Sequence, residues 1–494
     1  MTKSLYEKTV SSTTKMLFSS VFMFLIQFFS TVILARVYNP SEFGILSKIL
    51  IITSFADVFC QLGLGQAIVQ KVRCSKNDYD TVSITSLILG ILTTIAVYSF
   101  AIPISNIVNL DNELFLKLIS PAFLIISLSV LPIARAQREM RFNVIIAKDI
   151  ASYLGYVLTC VILGSLGLGI YGLIAGLLVK YFIATIVSLI LAKYPITFKF
   201  SIDSFMSMFN FGFGFSLCKI CSVATDQSDY YAIARMLNNT SLGLYNRAFQ
   251  LVSTPISLIG QSVDQVFFST FSKMQGDEKR ISESFICISS IISILSMFAT
   301  ISLFYFSGFI TIFLFGEKWI KAATPIALLS LAIFFRSTIK ITDPIMRAKG
   351  FVYHRALFHC INTIITLFAA MYGSRYDLIG VSLGVVFAQF LNYVINVLFV
   401  ATKLHVNFYR YFVSTIPCNL ITIFACVCGY SFSVLPFLWN GIYNLKIFLF
   451  IICILVIVSI STYVIVKYFY DEQITKEINR VIYTFKTIFF KKIV

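Results

Sequence analysis

Charged and polar side chains recur at helical spacing within long apolar stretches of this sequence. One set, in steps of three, four and three residues, lies on a single helix face and consists of Lys219, Ser222, Asp226 and Asp229. A longer set continues the same alternation over five turns and consists of Arg247, Gln250, Thr254, Ser257, Gln261 and Asp264. Basic groups on such faces can hold phosphates, hydroxyl and amide groups can bind sugars, and carboxylates can bind a cation.

Several charged residues lie inside the predicted membrane spans, and seven of them are Lys48, Asp57, Lys219, Asp226, Asp229, Arg247 and Asp264. A lipid-facing charge at mid-bilayer costs at least ~2.5–3.5 kcal/mol, so seven of them would cost ~20 kcal/mol, more than folding leaves available. These side chains must therefore face one another or water. The pattern predicts a hydrated cleft, and close packing through interhelical hydrogen bonds and ion pairs is the alternative.

The elements that carry these residues are predicted to be membrane-spanning helices. The 494-residue chain is 58% hydrophobic and 12% charged, which excludes an ordinary soluble core. Apolar runs long enough to cross a hydrocarbon layer of roughly 30 Å recur fourteen times. The predicted spans are 17–37, 45–69, 82–108, 114–133, 142–163, 170–191, 206–234, 242–271, 285–306, 322–345, 356–372, 378–401, 411–431 and 447–467. The sequence thus predicts an all-α polytopic membrane protein with about 14 transmembrane helices.

Basic residues are distributed unevenly between the two sets of connections. The chain has 39 Lys and Arg against 22 Asp and Glu, a net charge of +17. The connections 105–113 and 164–169 contain neither Lys nor Arg, whereas the opposite side holds clusters such as Lys71, Arg73 and Lys76. This asymmetry predicts a multi-pass protein with both termini in the cytoplasm, and it explains the charge without nucleic-acid binding.

A short polar turn occurs twice in the sequence. Residues 35–44 read ARVYNPSEFG and residues 234–243 read ARMLNNTSLG, an offset of 199. Ser41 and Thr240 are predicted to be the N-caps of the helices that follow. Six spans separate the two copies, so both cross the membrane in the same direction, which predicts two parallel six-helix lobes with a central cleft. The predicted divisions are an N-terminal lobe at 1–200, a C-terminal lobe at 201–405, two additional transmembrane helices at 406–470 and a basic cytoplasmic tail at 471–494.

The repeat also pairs four basic residues. Arg36 matches Arg235, and Lys48 matches Arg247. These four are candidates for binding an anionic substrate, and the further candidates on the polar faces are Lys219, Gln250 and Gln261. Arg36 and Arg235 lie at predicted outer helix ends, where snorkelling into the interface explains them equally well. Four acids could bind a coupling proton or sodium ion, or could act as counter-ions to the bases: Asp57, Asp226, Asp229 and Asp264.

Two segments resemble one bacterial family. Residues 35–71, which begin with ARVYNPSEFG and end with ADVFCQLGLGQAIVQK, look like the opening of Wzx-type polysaccharide-transport flippases of the multidrug/oligosaccharidyl-lipid/polysaccharide exporter superfamily. Residues 234–277 are similar to the segment of the seventh and eighth helices in that family. The resemblance implies a flippase of the bacterial inner membrane that moves undecaprenyl-diphosphate-linked oligosaccharide to the outer leaflet by alternating access, for O-antigen, capsule or exopolysaccharide synthesis.

The same resemblance implies which partners the protein has. They are the lipid-linked oligosaccharide, membrane lipids, and a polysaccharide polymerase with its export machinery. No cofactor is expected beyond the coupling cation. The alternative is a cation-coupled multidrug or small-molecule antiporter of the same superfamily, which would share twelve of the helices but not the last two predicted spans.

Catalytic and metal sites are not expected, so the chain is predicted not to be an enzyme. Asp78-Tyr79-Asp80 has the DxD spacing of metal-dependent glycosyltransferases but is predicted to lie in a short loop without a nucleotide-sugar domain. Cys218 and Cys221 have the spacing of a redox or metal site but lie within an apolar helix without a second ligand pair. No phosphate-binding loop for ATP is present.

Overall fold

The computed structural model shows an all-helical membrane protein. The residues that it describes are 22–71, 73–192, 199–273, 278–412 and 414–415, without the side chains of 258–273, 348 and 352. Within these ranges there is no β-strand, and each of the first twelve predicted spans contains helix, which confirms the polytopic all-α fold. The last two predicted spans fall almost wholly outside the described residues, and the predicted tail 471–494 falls entirely outside them.

The described residues between 22 and 192 form nine helices. They are α1 (Phe22–Val37), α2 (Pro40–Gln61), α3 (Leu64–Gln70), α4 (Lys76–Ser99), α5 (Ala101–Ile107), α6 (Leu114–Ile119), α7 (Pro121–Arg138), α8 (Phe142–Ser165) and α9 (Ile170–Ala192). Three predicted spans are interrupted, because α2 with α3, α4 with α5, and α6 with α7 each follow one another after one or two residues. The first of these breaks has Leu62 and Gly63 at positive φ.

Between residues 202 and 403 the described chain has seven α-helices. They are α10 (Ile202–Met236), α11 (Asn239–Lys273), α12 (Glu278–Phe315), α13 (Ala323–Ser330), α14 (Ile333–Ala348), α15 (Val352–Gly373) and α16 (Asp377–Lys403). Helices α15 and α16 run antiparallel, since the rings of His354 and Phe399 have centroids 4.9 Å apart on either side of the turn between them.

Eight helical stretches of the described chain are long and apolar enough to cross a membrane, and a ninth is formed by a pair bent by 52°, Glu317–Ser330 with Ile333–Arg347. One of the eight, Tyr353–Lys403, comprises both α15 and α16. Helix α11 is absent from this set although it has 35 residues, because it carries the long polar face described above. A helix with such a face needs protein or water beside it rather than lipid.

The repeated turn is capped by asparagine in both copies. Helix α2 begins at Pro40 with Asn39 as its N-cap, and the Asn39 backbone N–H donates to the Glu42 carboxylate at 2.7 Å. In the second copy Asn238 Oδ1 accepts from the backbone N–H of Ser241 at 2.8 Å. The predicted N-caps Ser41 and Thr240 were therefore wrong by two residues. Proline fixes φ for the first helical position, so α2 starts at Pro40 and the cap precedes it.

The DxD residues lie in the first turns of α4 rather than in a loop, which corrects the prediction for Asp78. Its backbone N–H donates to Ser75 Oγ, and its carboxylate accepts from the Ser75 backbone N–H at 2.9 Å and from Lys71 Nζ at 2.9 Å. Since a carboxylate near a helix N-terminus is stabilised by the unsatisfied N–H groups there, capping explains Asp78.

The chain divides into two compact units. The first contains the described parts of Met1–Arg247, Thr311–Ala322 and His359–Val381, and the second contains those of Ala248–Ile310, Ala323–Phe358 and Ser382–Val494. Both copies of the repeated turn lie in the first unit. The cores of the two units include, respectively, Leu64, Ile68, Val82 and Leu131, and Phe285, Ile341, Ile345 and Val400. The predicted lobes at 1–200 and 201–405 stay a prediction.

Candidate functional site

The two copies of the turn touch each other at a matched pair of glycines. A Cβ atom built on Gly44 would lie 1.7 Å from the carbonyl oxygen of Asn239, and one on Gly243 would lie 1.8 Å from the carbonyl oxygen of Pro40. Real Cβ contacts essentially never fall below 3.0 Å, so neither position accepts a side chain unless the backbones separate. The N-termini of α2 and α11 therefore approach each other backbone to backbone, which explains why both copies keep glycine.

The matched arginines have the same role in the two copies. Arg36 donates from Nη2 to the carbonyl oxygen of Phe313 at 2.8 Å, at the end of α12. Arg235 donates from Nη1 to the carbonyl oxygen of Asn106 at 2.8 Å, at the end of α5. The last carbonyls of a helix have no partner within the helix, and a cation there also interacts favourably with the helix dipole. Both exposed side chains thus serve as caps for another helix, and their role in substrate binding stays a prediction.

One connection joins α2 to the second copy of the turn. Lys48 is only 3% exposed and donates from Nζ to the carbonyl oxygen of Asn109 at 2.6 Å. Arg235 donates to Asn109 Oδ1 at 2.5 Å, and Asn109 Nδ2 donates to the carbonyl oxygen of Arg235 at 2.8 Å. Asn109 has φ +50°, a conformation that asparagine tolerates better than most residues. Asn109 therefore binds two of the four paired bases, Lys48 from the first half of the repeat and Arg235 from the second.

Arg247, the partner of Lys48 in the repeat, has a different environment. Its side chain is 5% exposed, and its guanidinium carbon lies 3.7 Å from the centroid of the Phe43 ring. The phenols of Tyr153, Tyr156 and Tyr230 are close enough to interact with it electrostatically. A planar guanidinium stacks on aromatic faces, and such contacts contribute about 2 kcal/mol when desolvated. The structure thus brings all four paired bases into the first unit.

Three of the four predicted acids have described side chains. Asp229 is 3% exposed and accepts from the hydroxyl of Tyr245 at 2.6 Å. Both carboxylate oxygens of Asp57 accept from Gln61 Nε2 at 2.9 Å. Asp226 is exposed on α10. Asp264 lies outside the residues whose side chains are described, so the choice between ion binding and charge compensation stays open for the set.

The other predicted substrate-binding residues are only partly described. Lys219 and Gln250 are exposed on α10 and α11. Lys219, in the seventh predicted span, is close enough to Asp57, in the second, for an attractive electrostatic interaction. Gln261 lies outside the residues whose side chains are described.

Lys180 was missed in the sequence, although it lies at the middle of α9. Its Nζ is 5.9 Å from the centroid of the Tyr153 ring and 6.0 Å from that of Tyr181. A cation–π contact contributes about 0.5–1 kcal/mol when exposed and about 2 kcal/mol when desolvated, against a cost of ~2.5–3.5 kcal/mol for a charge at mid-bilayer, so one ring alone does not compensate this lysine. A single charge inside an apolar span was the available signal, but it has no matched partner in the repeat and no polar neighbours at helical spacing.

Metal binding has no support in the described part of the chain, where no three His, Cys, Asp or Glu side chains cluster. The thiol of Cys221 lies near Cys360 on α15, with an Sγ–Sγ distance of 3.7 Å, while Cys218 is exposed. The spacing of Cys218 and Cys221 along α10 therefore does not bring these two thiols together as one site.

Curated relatives match most of the chain at low identity. An uncharacterized membrane protein in the cps region of Klebsiella pneumoniae is 25% identical over 465 residues, which cover 90% of this chain and 96% of the relative. The lipopolysaccharide biosynthesis protein WzxC of Escherichia coli K12 is 25% identical over 405 residues, which cover 80% of this chain and 81% of the relative.

Solved structures share the fold. The lipid II flippase MurJ, in an inward closed conformation, superposes with a TM-score of 0.72 at 15% identity, covering 90% of this chain and 98% of MurJ. An inward-facing multidrug resistance MATE transporter of the MOP superfamily superposes with a TM-score of 0.65 at 12% identity, covering 78% of this chain and 94% of the transporter. At these identities the likeness shows the fold, which is that of polytopic membrane transporters.

A family model for polysaccharide biosynthesis proteins matches residues 33–324, which include both copies of the turn and all four paired bases. That match covers more than half of the chain, so this multi-pass membrane protein belongs to the polysaccharide biosynthesis protein family.

Proposed function

We propose that this protein is a flippase that moves an oligosaccharide linked to undecaprenyl diphosphate from the cytoplasmic to the outer leaflet of the bacterial inner membrane. The observation that carries this proposal is the burial of two matched bases in a multi-pass polysaccharide biosynthesis protein, Lys48 on the membrane-spanning helix α2 and Arg247 on the polar-faced helix α11. Buried cations are expensive in a membrane and persist where they serve transport of a charged group. The name of the E. coli relative supports a glycan as the cargo.

The proposed cargo has three parts with different needs. Its isoprenoid tail is soluble in lipid, whereas its diphosphate and its sugars need a polar path across the bilayer. Arginine and lysine bind phosphate by charge-assisted hydrogen bonds, and exposed amides such as that of Gln250 suit sugar hydroxyls. A cleft that opens sideways to lipid would let the polar head cross while the tail stays in the membrane.

The substrate-binding residues fall into two groups under this proposal. Arg247, stacked on Phe43, and Lys48 are the leading ligands for the diphosphate, and the remaining candidates along the polar faces are Lys219, Gln250 and Gln261. Arg36 and Arg235 are better explained as residues that hold helix ends in one of the alternating states. Opening toward the other leaflet would then require these carbonyl contacts to break.

Alternating access needs a ligand that binds the two states with different affinity. A proton or sodium ion bound by the set Asp57, Asp226, Asp229 and Asp264 would supply that difference. Charge compensation of the neighbouring bases is the second role proposed for the same carboxylates.

A deletion strain tests the proposed function. We expect loss of the gene to leave lipid-linked glycan accumulated on the cytoplasmic leaflet, and the plasmid-borne chain to restore its exposure on the outer surface. Accessibility of the glycan to an added glycan-modifying enzyme in spheroplasts measures the exposure. Unchanged exposure in the deletion strain, with no second transporter present, would refute the flippase proposal.

The second candidate is a cation-coupled antiporter of drugs or small molecules, which the fold shared with the MATE transporter favours. It predicts increased drug sensitivity in the deletion strain without any glycan defect.

Reporter fusions at the two termini would test the proposed cytoplasmic location of both ends, and co-purification would test the proposed association with a polymerase and export machinery.

A further inference from the structure

Lys180 is placed deep within α9. It lies ten residues after the first residue of α9 and twelve before the last, which at 1.5 Å per residue is about 15 Å from the first residue and about 18 Å from the last. A helix of this length spans the hydrocarbon layer, so the ammonium group lies near the membrane midplane. Among the described residues, no side chain or carbonyl group makes a hydrogen bond or ion pair with it.

Three other lysines of the same unit have defined anionic or carbonyl partners. Lys48 donates to the carbonyl of Asn109, Lys71 pairs with Asp78 at 2.9 Å, and Lys148 pairs with Asp149 at 2.8 Å. Lys180 interacts instead with the aromatic faces of two tyrosines. Lys180 therefore differs from these three lysines, because no acceptor in the described part of the unit forms a hydrogen bond or ion pair with its ammonium group.

The two tyrosines connect Lys180 to both parts of the candidate site. Tyr153 is also within electrostatic reach of Arg247, and Tyr181 is within reach of Asp57. Lys148 and Asp149 act on Lys180 from the beginning of α8, and their opposite charges largely cancel because they pair with each other. The phenol of Tyr153 is thus near two cations, because its ring centroid lies 5.9 Å from Lys180 Nζ and its hydroxyl is within electrostatic reach of Arg247.

We propose that Lys180, flanked by Tyr153 and Tyr181, binds a phosphate group on the polar head of the transported lipid at mid-membrane. The inference rests on the proposed flippase function. It assigns a phosphate ligand to α9, a helix that carries none of the four bases paired by the sequence repeat. An ammonium group offers three donors to phosphate oxygens, and a partly desolvated site strengthens such charge-assisted bonds. The phosphate has two sources, an isoprenoid diphosphate or the head group of an ordinary phospholipid, and binding measurements separate them.

The test uses the full-length protein in nanodiscs of zwitterionic phosphatidylcholine, with undecaprenyl diphosphate as the probe. We expect Lys180→Met to weaken binding about tenfold, as loss of one charge-assisted contact should. Lys180→Arg is expected to keep most of the affinity, because it keeps a cationic donor. Lys117→Met is the matched control, since Lys117 faces Glu113 at 3.7 Å outside the proposed site, and it should bind like the wild type.

A melting temperature separates ligand binding from packing. We expect Lys180→Met to melt at or above the wild-type temperature, since it removes a charge that lacks a bonded acceptor. A lower melting temperature together with unchanged affinity for undecaprenyl diphosphate would assign Lys180 to packing and overturn the inference.

Phosphatidylglycerol distinguishes the source of the phosphate. If it displaces undecaprenyl diphosphate at equal concentration, and if Lys180→Met weakens both lipids equally, the site serves bulk phospholipid and the assignment to cargo is overturned. A Lys180→Met variant that restores glycan exposure fully in the deletion strain would refute this inference while leaving the flippase proposal intact. Failure of the wild-type chain to restore exposure would instead refute the proposed function.

Discussion

Arg247 illustrates at the residue scale how one repeated position can acquire two chemistries. Its partner Lys48 donates to a backbone carbonyl, whereas Arg247 stacks on Phe43, a ring from the first copy of the turn. The second copy has Leu242 at the position of Phe43. Because leucine offers no π face, the Lys48 side has no equivalent stack, and the pseudo-symmetry of the site is broken by one aromatic side chain.

Substitution of Arg247 should separate charge from shape. We expect Arg247→Ala to lower the rate of glycan exposure at least about tenfold, and Arg247→Lys to recover only part of it, because an ammonium group cannot stack as a planar guanidinium does. Spheroplast accessibility normalised to membrane abundance measures the effect. Arg73→Ala is the control, since Arg73 is exposed at a connection. Full activity of Arg247→Ala would return Arg247 to a structural role.

The Asp229 side chain is expected to stabilise the folded protein through its contact with Tyr245. Its carboxylate accepts from the buried Tyr245 hydroxyl, and replacement by asparagine weakens that contact and places an amide donor in the same pocket. We expect Asp229→Asn to destabilise the protein by about 1–3 kcal/mol, observed as a lower melting temperature in detergent. The exposed Asp226→Asn should change the melting temperature much less. Equal shifts for both variants would argue against a special role for the Tyr245 contact.

At the scale of elements, the crossing of α2 and α11 depends on the absence of two side chains. A sequence repeat identifies Gly44 and Gly243 as matched residues but says nothing about whether the two copies meet. Their contact is a through-space relation between residues 199 positions apart, which one sequence cannot reveal. The N-caps were misplaced for a more local reason, since serine and asparagine are both good caps and only the start of the helix distinguishes them.

Alanine at either glycine should force the two helices apart. We expect Gly44→Ala and Gly243→Ala each to destabilise the protein by about 1–3 kcal/mol or more, because the clash is with backbone that cannot rotate away. Gly214→Ala in α10 is a matched control, since nothing lies within 4 Å of its would-be Cβ and alanine favours helix by about 0.8–1.0 kcal/mol. Melting temperatures of the three variants in one detergent provide the comparison. Wild-type melting temperatures for both Gly44→Ala and Gly243→Ala would contradict this close contact between the backbones of α2 and α11.

For the whole molecule, much of the architecture could be predicted from hydropathy and charge. Each of the first twelve predicted spans contains helix because burial of apolar side chains in lipid determines both the pattern and the structure. The paired bases were identified because the chain repeats them. Lys180 and the helix ends that bind Arg36 and Arg235 were not, since neither a period nor a nearby sequence motif marks such contacts.

Helices α10 and α15 should stay together during transport, because they share close side-chain contacts. Thr225 hydrogen-bonds Thr363 at 2.7 Å, and the thiols of Cys221 and Cys360 are 3.7 Å apart. We expect oxidation of this thiol pair by copper phenanthroline to leave glycan exposure unchanged, with loss of maleimide labelling as the measure of cross-linking. Cys360→Ser controls for oxidation elsewhere. Inhibition that appears only when both thiols are present would show that α10 and α15 separate in the cycle.

The contacts of the two matched arginines are reciprocal along the chain. Arg36, in the predicted lobe at 1–200, binds the end of α12 in the predicted lobe at 201–405, and Arg235, in the second of these lobes, binds the end of α5 in the first. Neither predicted lobe contains both partners of either contact. The two predicted lobes therefore depend on each other, since each supplies the cation that caps a helix end of the other.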